Sequence, residues 1–239
     1  NPGSARLQAG MLVLAAVALL VPSMLGASDR PETRAVVGEL SIGLAVLLLV
    51  AYVLGLLFSL GTHRQFFESA GSGGHAHEDE HLWPTGVALV MLAAVTVTVA
   101  LVSEIFVESV QIAAETLGMT PAFVGFIVVA AVGAAAEMTA AFAAARKNRL
   151  DLSVGIALGS SSQIAMFVAP VLVLLSLFIA PEPMDLQFWP GAVAMVLIST
   201  ITVFLVANGG RSAWYLGVML LVVYATFAMT LYLLPPAAG

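Results

Sequence analysis

Seven long apolar stretches are the feature that most constrains what this chain can fold into. They cover about residues 6–26, 37–60, 84–106, 121–145, 152–180, 189–208 and 213–234. A helix needs about 20 apolar residues to cross a hydrocarbon core, and each stretch is of that order. Because the apolar runs are continuous rather than alternating, helices are favoured over barrel strands. The sequence therefore predicts an all-α integral membrane protein with about seven transmembrane helices.

Composition excludes the other large classes of protein. Of the 239 residues, 61% are hydrophobic and only 9% are charged, whereas soluble domains carry about 25% charged residues. The 14 acidic and 8 basic residues give a net charge of −6, which disfavours nucleic acid as a partner. Cysteine is absent, so disulfides and thiolate metal sites are excluded. The expected partners are the lipid bilayer and small ions.

A polar, glycine-containing segment at residues 61–83 is the clearest internal boundary. It separates two predicted helices in residues 1–60 from five in residues 84–239. If the helices alternate in direction, six basic residues lie on one side and two on the other. The six are Arg6, Arg64, Arg146, Lys147, Arg149 and Arg211, and the two are Arg30 and Arg34. The positive-inside rule then predicts a cytoplasmic linker and an external C-terminus. The compact loops and alanine-rich composition suggest a bacterial inner membrane.

Glu137 is the strongest single candidate for a functional residue. It follows the small residues Gly133–Ala136 inside the fourth apolar stretch. An unpaired carboxylate inside a membrane costs several kcal/mol, so intramembrane acids commonly mark ion or proton pathways. A carboxyl group can bind either a proton or a cation, and Gly133 would let an ion or another helix approach closely. The structural alternative is a carboxylate satisfied by a neighbouring hydroxyl group.

A second polar run, Ser160–Gln163, lies within the fifth apolar stretch. Hydroxyl and amide oxygens are ligands that suit hard cations such as Ca²⁺ or Na⁺. Gly155 and Gly159 have the spacing of a close helix crossing, so helix packing is the alternative explanation.

Acidic residues also follow the third apolar stretch. Glu104, Glu108, Gln111 and Glu115 have spacings of four, three and four residues, which place them on one helical face. They either form an acidic vestibule that concentrates cations or are a solvated face at a helix end.

The linker contains an HxH pair, with His75, His77 and His81 close to acidic residues. Such a group can bind a divalent ion in a regulatory role. The surrounding glycines favour a flexible, solvated linker instead.

The residues 132–174, VGAAAEMTAAFAAARKNRLDLSVGIALGSSSQIAMFVAPVLVL, resemble the second α-repeat of the cation/proton exchangers in the calcium/cation antiporter superfamily. The family pattern is roughly GNAAEH, a short basic turn that ends in DL, and then GIALGSS-x-QIA-x-F-x-x-P. This chain has Ala134 at the asparagine position and Met138 at the histidine position. The flanking helices resemble the family more loosely.

The resemblance implies two inverted halves of five helices. Residues 84–239 would form the second half, with its α-repeat at 121–178, and residues 1–60 would end the first half. By this resemblance Glu137 binds a cation or a proton, Ser161 and Gln163 supply oxygen ligands, and Ser160 is a weaker candidate. The first α-repeat has no counterpart in the sequence, so we expect a missing N-terminal half or another subunit to supply it.

These observations predict an antiporter that exchanges a cation, expected to be Ca²⁺, for protons by alternating access at Glu137. We expect a transporter rather than an enzyme, with no cofactor. The alternative is a non-transporting structural subunit of a membrane complex, built on a partial exchanger scaffold.

Overall fold

The computed structural model describes residues 2–26, 31–59, 84–209 and 213–233. All regular structure within these ranges is helical. The helices are α1 (Pro2–Gly26), α2 (Pro31–Leu57), α3 (Thr85–Leu117), α4 (Pro121–Gly133), α5 (Ala135–Arg146), α6 (Leu150–Ile179), α7 (Pro190–Asn208) and α8 (Trp214–Leu233). In this part of the chain six helices are long and apolar enough to cross a membrane, and α4 with α5 makes a seventh crossing if counted as one bent span. The predicted all-α membrane architecture is confirmed.

The fourth predicted span is broken near its middle. The chain bends by 54° between Pro121–Gly133 and Ala135–Arg146. Ala134 lies at the break with φ −92° and ψ 7°, a sparsely populated region of backbone space. Gly133 directly precedes the break, and glycine costs about 1 kcal/mol relative to alanine inside a helix, so it weakens the helix at this point. The continuous stretch at 121–145 expected from hydropathy is therefore two helices.

Both α4 and α6 contain a π-helical turn. One covers Val124–Val129 in α4, and the other covers Ile164–Val168 in α6 directly after Gln163. Pro170 follows the second turn and has no N–H to donate to the preceding turn. Turns of this kind often occur at functional sites.

The packing divides the chain into two compact units, described separately. One contains Asn1–Gly73 and Ala136–Val223, and the other contains Gly74–Ala135 and Tyr224–Gly239. In the first unit, α1 packs against α7 and α6, while α2 packs against α1 and the later part of α6. Small side chains such as Ala15, Ala18 and Ala45 are buried there, and they let the helices approach closely. The predicted divisions at 1–60, 61–83 and 84–239 stay predictions, and most of the linker lies outside the described residues.

The connection between α6 and α7 is bonded to three helices of the first unit. Serine hydroxyls from α1, α2 and α6 accept hydrogen bonds from its backbone N–H groups. The pairs are Ser23 with Phe188 (3.0 Å), Ser41 with Leu186 (3.1 Å) and Ser176 with Met184 (2.8 Å). Leu186 also packs into an apolar cluster with Ala45 and Val173. The connection is thus an ordered part of the helical core.

In the second unit, Thr120 links the start of α4 to the end of α8. Its Oγ1 accepts a hydrogen bond from the Phe123 N–H (3.1 Å) and donates one to the Leu231 carbonyl (2.9 Å). Phe123 also packs edge-to-face on Tyr232, with ring centroids 5.4 Å apart. Thr120 is the N-cap residue and Pro121 opens the helix, as their order in the sequence predicts.

Candidate functional site

Glu137 lies in the first turn of α5, three residues after Ala134. Its side chain is half-buried, and its Oε2 atom is buried with no hydrogen-bond partner among the described residues. A buried acceptor left unpaired costs about 1–3 kcal/mol, and more when it is charged. The N-terminal end of a helix favours a negative charge. The helix end therefore stabilises the negative charge of the Glu137 carboxylate. Its Oε2 atom still needs a proton donor or a cation as a partner.

The polar run of α6 presents two different surfaces. Ser162 is buried, whereas Ser161 and Gln163 are exposed on the surface of the chain and Ser160 is half-buried. The Ser161 Oγ donates to the Ala157 carbonyl at 2.9 Å. A hydroxyl that donates to its own helix keeps its lone pairs for other donors or for a cation. Ser161 and Gln163 thus carry accessible oxygens, as the sequence predicts for ligands.

The structure does not join Glu137 to the α6 serines through its buried oxygen. Because Oε2 has no hydrogen-bond partner among the described residues, it accepts none from Ser160, Ser161 or Gln163. The described ranges also contain no group of three or more His, Asp or Glu side chains placed to hold a metal. Gly133 is exposed and belongs to the other packing unit. A shared cation site for these residues stays a prediction.

The acidic residues of α3 lie on a helix that is longer than a membrane is thick. Its 33 residues span about 50 Å at about 1.5 Å per residue, against about 30 Å of hydrocarbon. Glu104 and Glu108 are both exposed, as are Gln111 and Glu115. No charged residue lies between Thr85 and Ser103, so Glu104 is the first charge after the apolar part. The vestibule role of these residues stays a prediction.

The linker histidines His75, His77 and His81 lie outside the described residues. Their regulatory role in cation binding therefore also stays a prediction.

Sequence reasoning missed Gln8 on α1. Its Oε1 atom is the other buried side-chain oxygen without a hydrogen-bond partner in the described chain. Its backbone carbonyl accepts a hydrogen bond from the Ser162 Oγ at 3.2 Å. The only signal in the sequence is a single amide inside an apolar stretch, and its position against α6 depends on tertiary packing.

A membrane protein with a broken span, a carboxylate at the break and a polar run in the next helix has the general design of an ion-coupled carrier. The sequence matches the family described as "Sodium/calcium exchanger protein" over residues 87–233. The match covers more than half of the chain, so the chain belongs to this family. The resemblance to cation/proton exchangers is thereby confirmed.

Individual relatives agree with the family assignment. The Ca(2+)/H(+) antiporter of Synechocystis sp. is 38% identical over 252 residues, covering 98% of this chain and 66% of the relative. The Ca(2+)/H(+) antiporter ChaA of Bacillus subtilis is 38% identical over 236 residues, with the same two coverages of 98% and 66%. The solved structure of native YfkE superposes with a TM-score of 0.77 at 34% identity, covering 98% of this chain and 65% of that one. The chain spans slightly less than two thirds of the length of these relatives.

Proposed function

We propose that this chain carries the cation- and proton-binding part of a Ca²⁺/H⁺ antiporter. The observation that carries the proposal is the buried Glu137 Oε2, which lacks a hydrogen-bond partner among the described residues and follows a break in a membrane span. The relatives named above are called Ca(2+)/H(+) antiporters, which supports Ca²⁺ as the cation.

Coupling arises because one carboxyl group cannot serve both ions at once. As a carboxylate, Glu137 attracts Ca²⁺, and oxygens from Ser161 and Gln163 replace part of the hydration shell. As a carboxylic acid it is neutral, and the cation leaves. Alternating exposure of Glu137 to the two sides then exchanges Ca²⁺ for protons. Ser160 and Gly133 are weaker members of this proposed site. Glu104 and Glu108 are proposed separately as an acidic vestibule that concentrates cations.

The proposal includes a location and a partner. A bacterial inner membrane with the C-terminus outside agrees with the distribution of lysine and arginine. The part of the relatives that this chain does not match would supply the first α-repeat, either as a further segment or as another subunit.

The test is Ca²⁺-driven proton movement in everted vesicles from a bacterial host without its own Ca²⁺/H⁺ exchange. The chain is assayed alone and together with the unmatched part of the B. subtilis relative. We expect Glu137→Gln to reduce exchange to background in whichever preparation is active. Glu39→Gln on α2 makes the same chemical change at an exposed acid and is expected to leave exchange intact. Undiminished exchange by Glu137→Gln would refute the proposed role.

The second candidate is a non-transporting structural subunit. It is favoured by Ala134 and Met138, which replace two polar residues of the family pattern beside Glu137. Absence of exchange both alone and with the unmatched part, in a folded protein, would support this candidate.

A further inference from the structure

Two side-chain atoms in the described chain are buried without a hydrogen-bond partner, and both are oxygens. One is Glu137 Oε2 and the other is Gln8 Oε1. An amide oxygen can only accept hydrogen bonds or bind a cation. Leaving it unpaired costs about 1–3 kcal/mol. The proposed antiport uses the first of these oxygens and leaves the second unexplained.

Gln8 is held against α6 through both its side chain and its backbone. A Cβ placed on Gly159 would lie 3.3 Å from Gln8 Nε2, so the amide packs directly on the helix at that glycine. The Ser162 hydroxyl shares its one proton between the Leu158 carbonyl at 2.8 Å and the Gln8 carbonyl at 3.2 Å. Gln8 therefore lies at the crossing of α1 and α6.

This crossing lies deep in the predicted membrane span. Ser162 is twelve residues after Leu150, the start of α6, which corresponds to about 18 Å along the helix axis. The hydrocarbon core is about 30 Å thick. The Gln8 Oε1 atom is itself buried, so bulk water does not satisfy it.

A proposed cation ligand lies about one helical turn after Gly159 on α6, at an exposed position. Gln163 follows Gly159 by four residues, and residues four apart lie one above the other on a helix. Gln8 is thus beside the edge of the polar run that carries Gln163. An amide oxygen is a suitable ligand for Ca²⁺.

We propose that the Gln8 side-chain oxygen is a further ligand of the transported cation, at the crossing of α1 and α6. This inference rests on the proposed Ca²⁺/H⁺ exchange and adds a ligand from a helix outside the α-repeat. Cation binding gives the buried oxygen the partner that the described chain does not provide. When the cation leaves, the oxygen is again unpaired, which favours reloading.

The test measures Ca²⁺ affinity of the purified chain by titration calorimetry, together with its thermal unfolding in detergent. Gln8→Met keeps the side-chain length and removes the amide. We expect it to raise the Kd for Ca²⁺ about tenfold or more, as for the loss of one charge-assisted contact. Its Tm without Ca²⁺ should equal or exceed that of the wild type, because an unpaired polar group is removed. Gln187→Met makes the same change at an exposed amide in the connection between α6 and α7 and should leave the Kd unchanged.

A folded Gln8→Met variant with the wild-type Kd overturns this inference and leaves the proposed function in place. A folded wild-type chain that binds no Ca²⁺, both alone and together with the unmatched part of the B. subtilis relative, overturns both. If Gln8→Met does not fold, the Kd for Ca²⁺ is measured on Gln8→Glu instead, because glutamate retains a side-chain oxygen and adds a negative charge. A lower Kd than the wild type supports the ligand role, and an equal or higher Kd overturns it.

Discussion

The Ser41 hydroxyl on α2 accepts a hydrogen bond of 3.1 Å from the backbone N–H of Leu186, in the connection between α6 and α7. Ser41 is 1% exposed and Leu186 is 2% exposed. Water therefore cannot replace either partner. This bond and the Ser23 and Ser176 bonds to the same connection join α1, α2 and α6 in one packed group.

Ser41→Ala should lower stability by about 1–3 kcal/mol, because it leaves the buried Leu186 N–H without an acceptor. Thermal unfolding in detergent measures the loss, and hydrogen exchange should be faster at the Leu186 amide. The matched control is Ser109→Ala, whose hydroxyl is exposed and bonds only to the Ile105 carbonyl in its own helix. Its effect should stay within about 0.5 kcal/mol. Equal losses for both variants would contradict the importance of the Ser41 bond.

Leu186→Ala should be more damaging than Ser41→Ala. It opens a cavity in the cluster with Ala45 and Val173, and such truncations cost about 2–5 kcal/mol. Leu205→Ala removes the same atoms from a side chain that is 65% exposed, so its Tm should change little. A Leu186→Ala protein as stable as Leu205→Ala would show that the connection does not contribute to the core.

The two glycines before the serine run should respond differently to substitution. A Cβ added to Gly159 would meet the Gln8 amide at 3.3 Å, whereas a Cβ on Gly155 meets nothing within 4 Å. Gly159→Leu should therefore force α1 and α6 apart and lower the Tm by several degrees. Gly155→Leu serves as the control, and its Tm should stay close to the wild type. A lower Tm for Gly155→Leu than for Gly159→Leu would contradict the observed crossing of α1 and α6.

Thr120 provides a test in the second packing unit. Thr120→Val keeps the shape and removes both hydrogen bonds, and we expect a loss of about 1–2 kcal/mol as for other N-caps. Thr120→Ser retains the hydroxyl and should recover most of the stability. Thermal unfolding of the three proteins checks this. A serine variant as unstable as the valine variant would contradict the role of the hydroxyl as the cap.

Hydropathy predicted the positions of most helices, because every helix that crosses the membrane needs an apolar stretch of about the same length. The predicted stretch 189–208 agrees with α7 (Pro190–Asn208), and the predicted stretch 121–145 begins where α4 begins, at Pro121. The break at Ala134 was not predictable in this way, since the apolar stretch 121–145 is continuous across it.

The contacts of the polar residues could not be predicted from the sequence alone. By the family pattern Ser162 falls at a variable position, yet the structure buries it against Gln8. That contact depends on which face of α6 meets α1, and spacing along one helix does not determine the partner helix. Glu137 could be identified from sequence, because the free-energy cost of placing a carboxylate in lipid follows from its charge alone.

Proton release on Ca²⁺ binding tests the central claim about Glu137 most directly. Ca²⁺ is added to the purified chain in weakly buffered detergent solution at a pH where the site is largely protonated, and a pH indicator reports the protons released. We predict release by the wild type and by Glu39→Gln, and none by Glu137→Gln. Release by Glu137→Gln equal to that of the wild type would contradict competition between Ca²⁺ and a proton for this carboxylate.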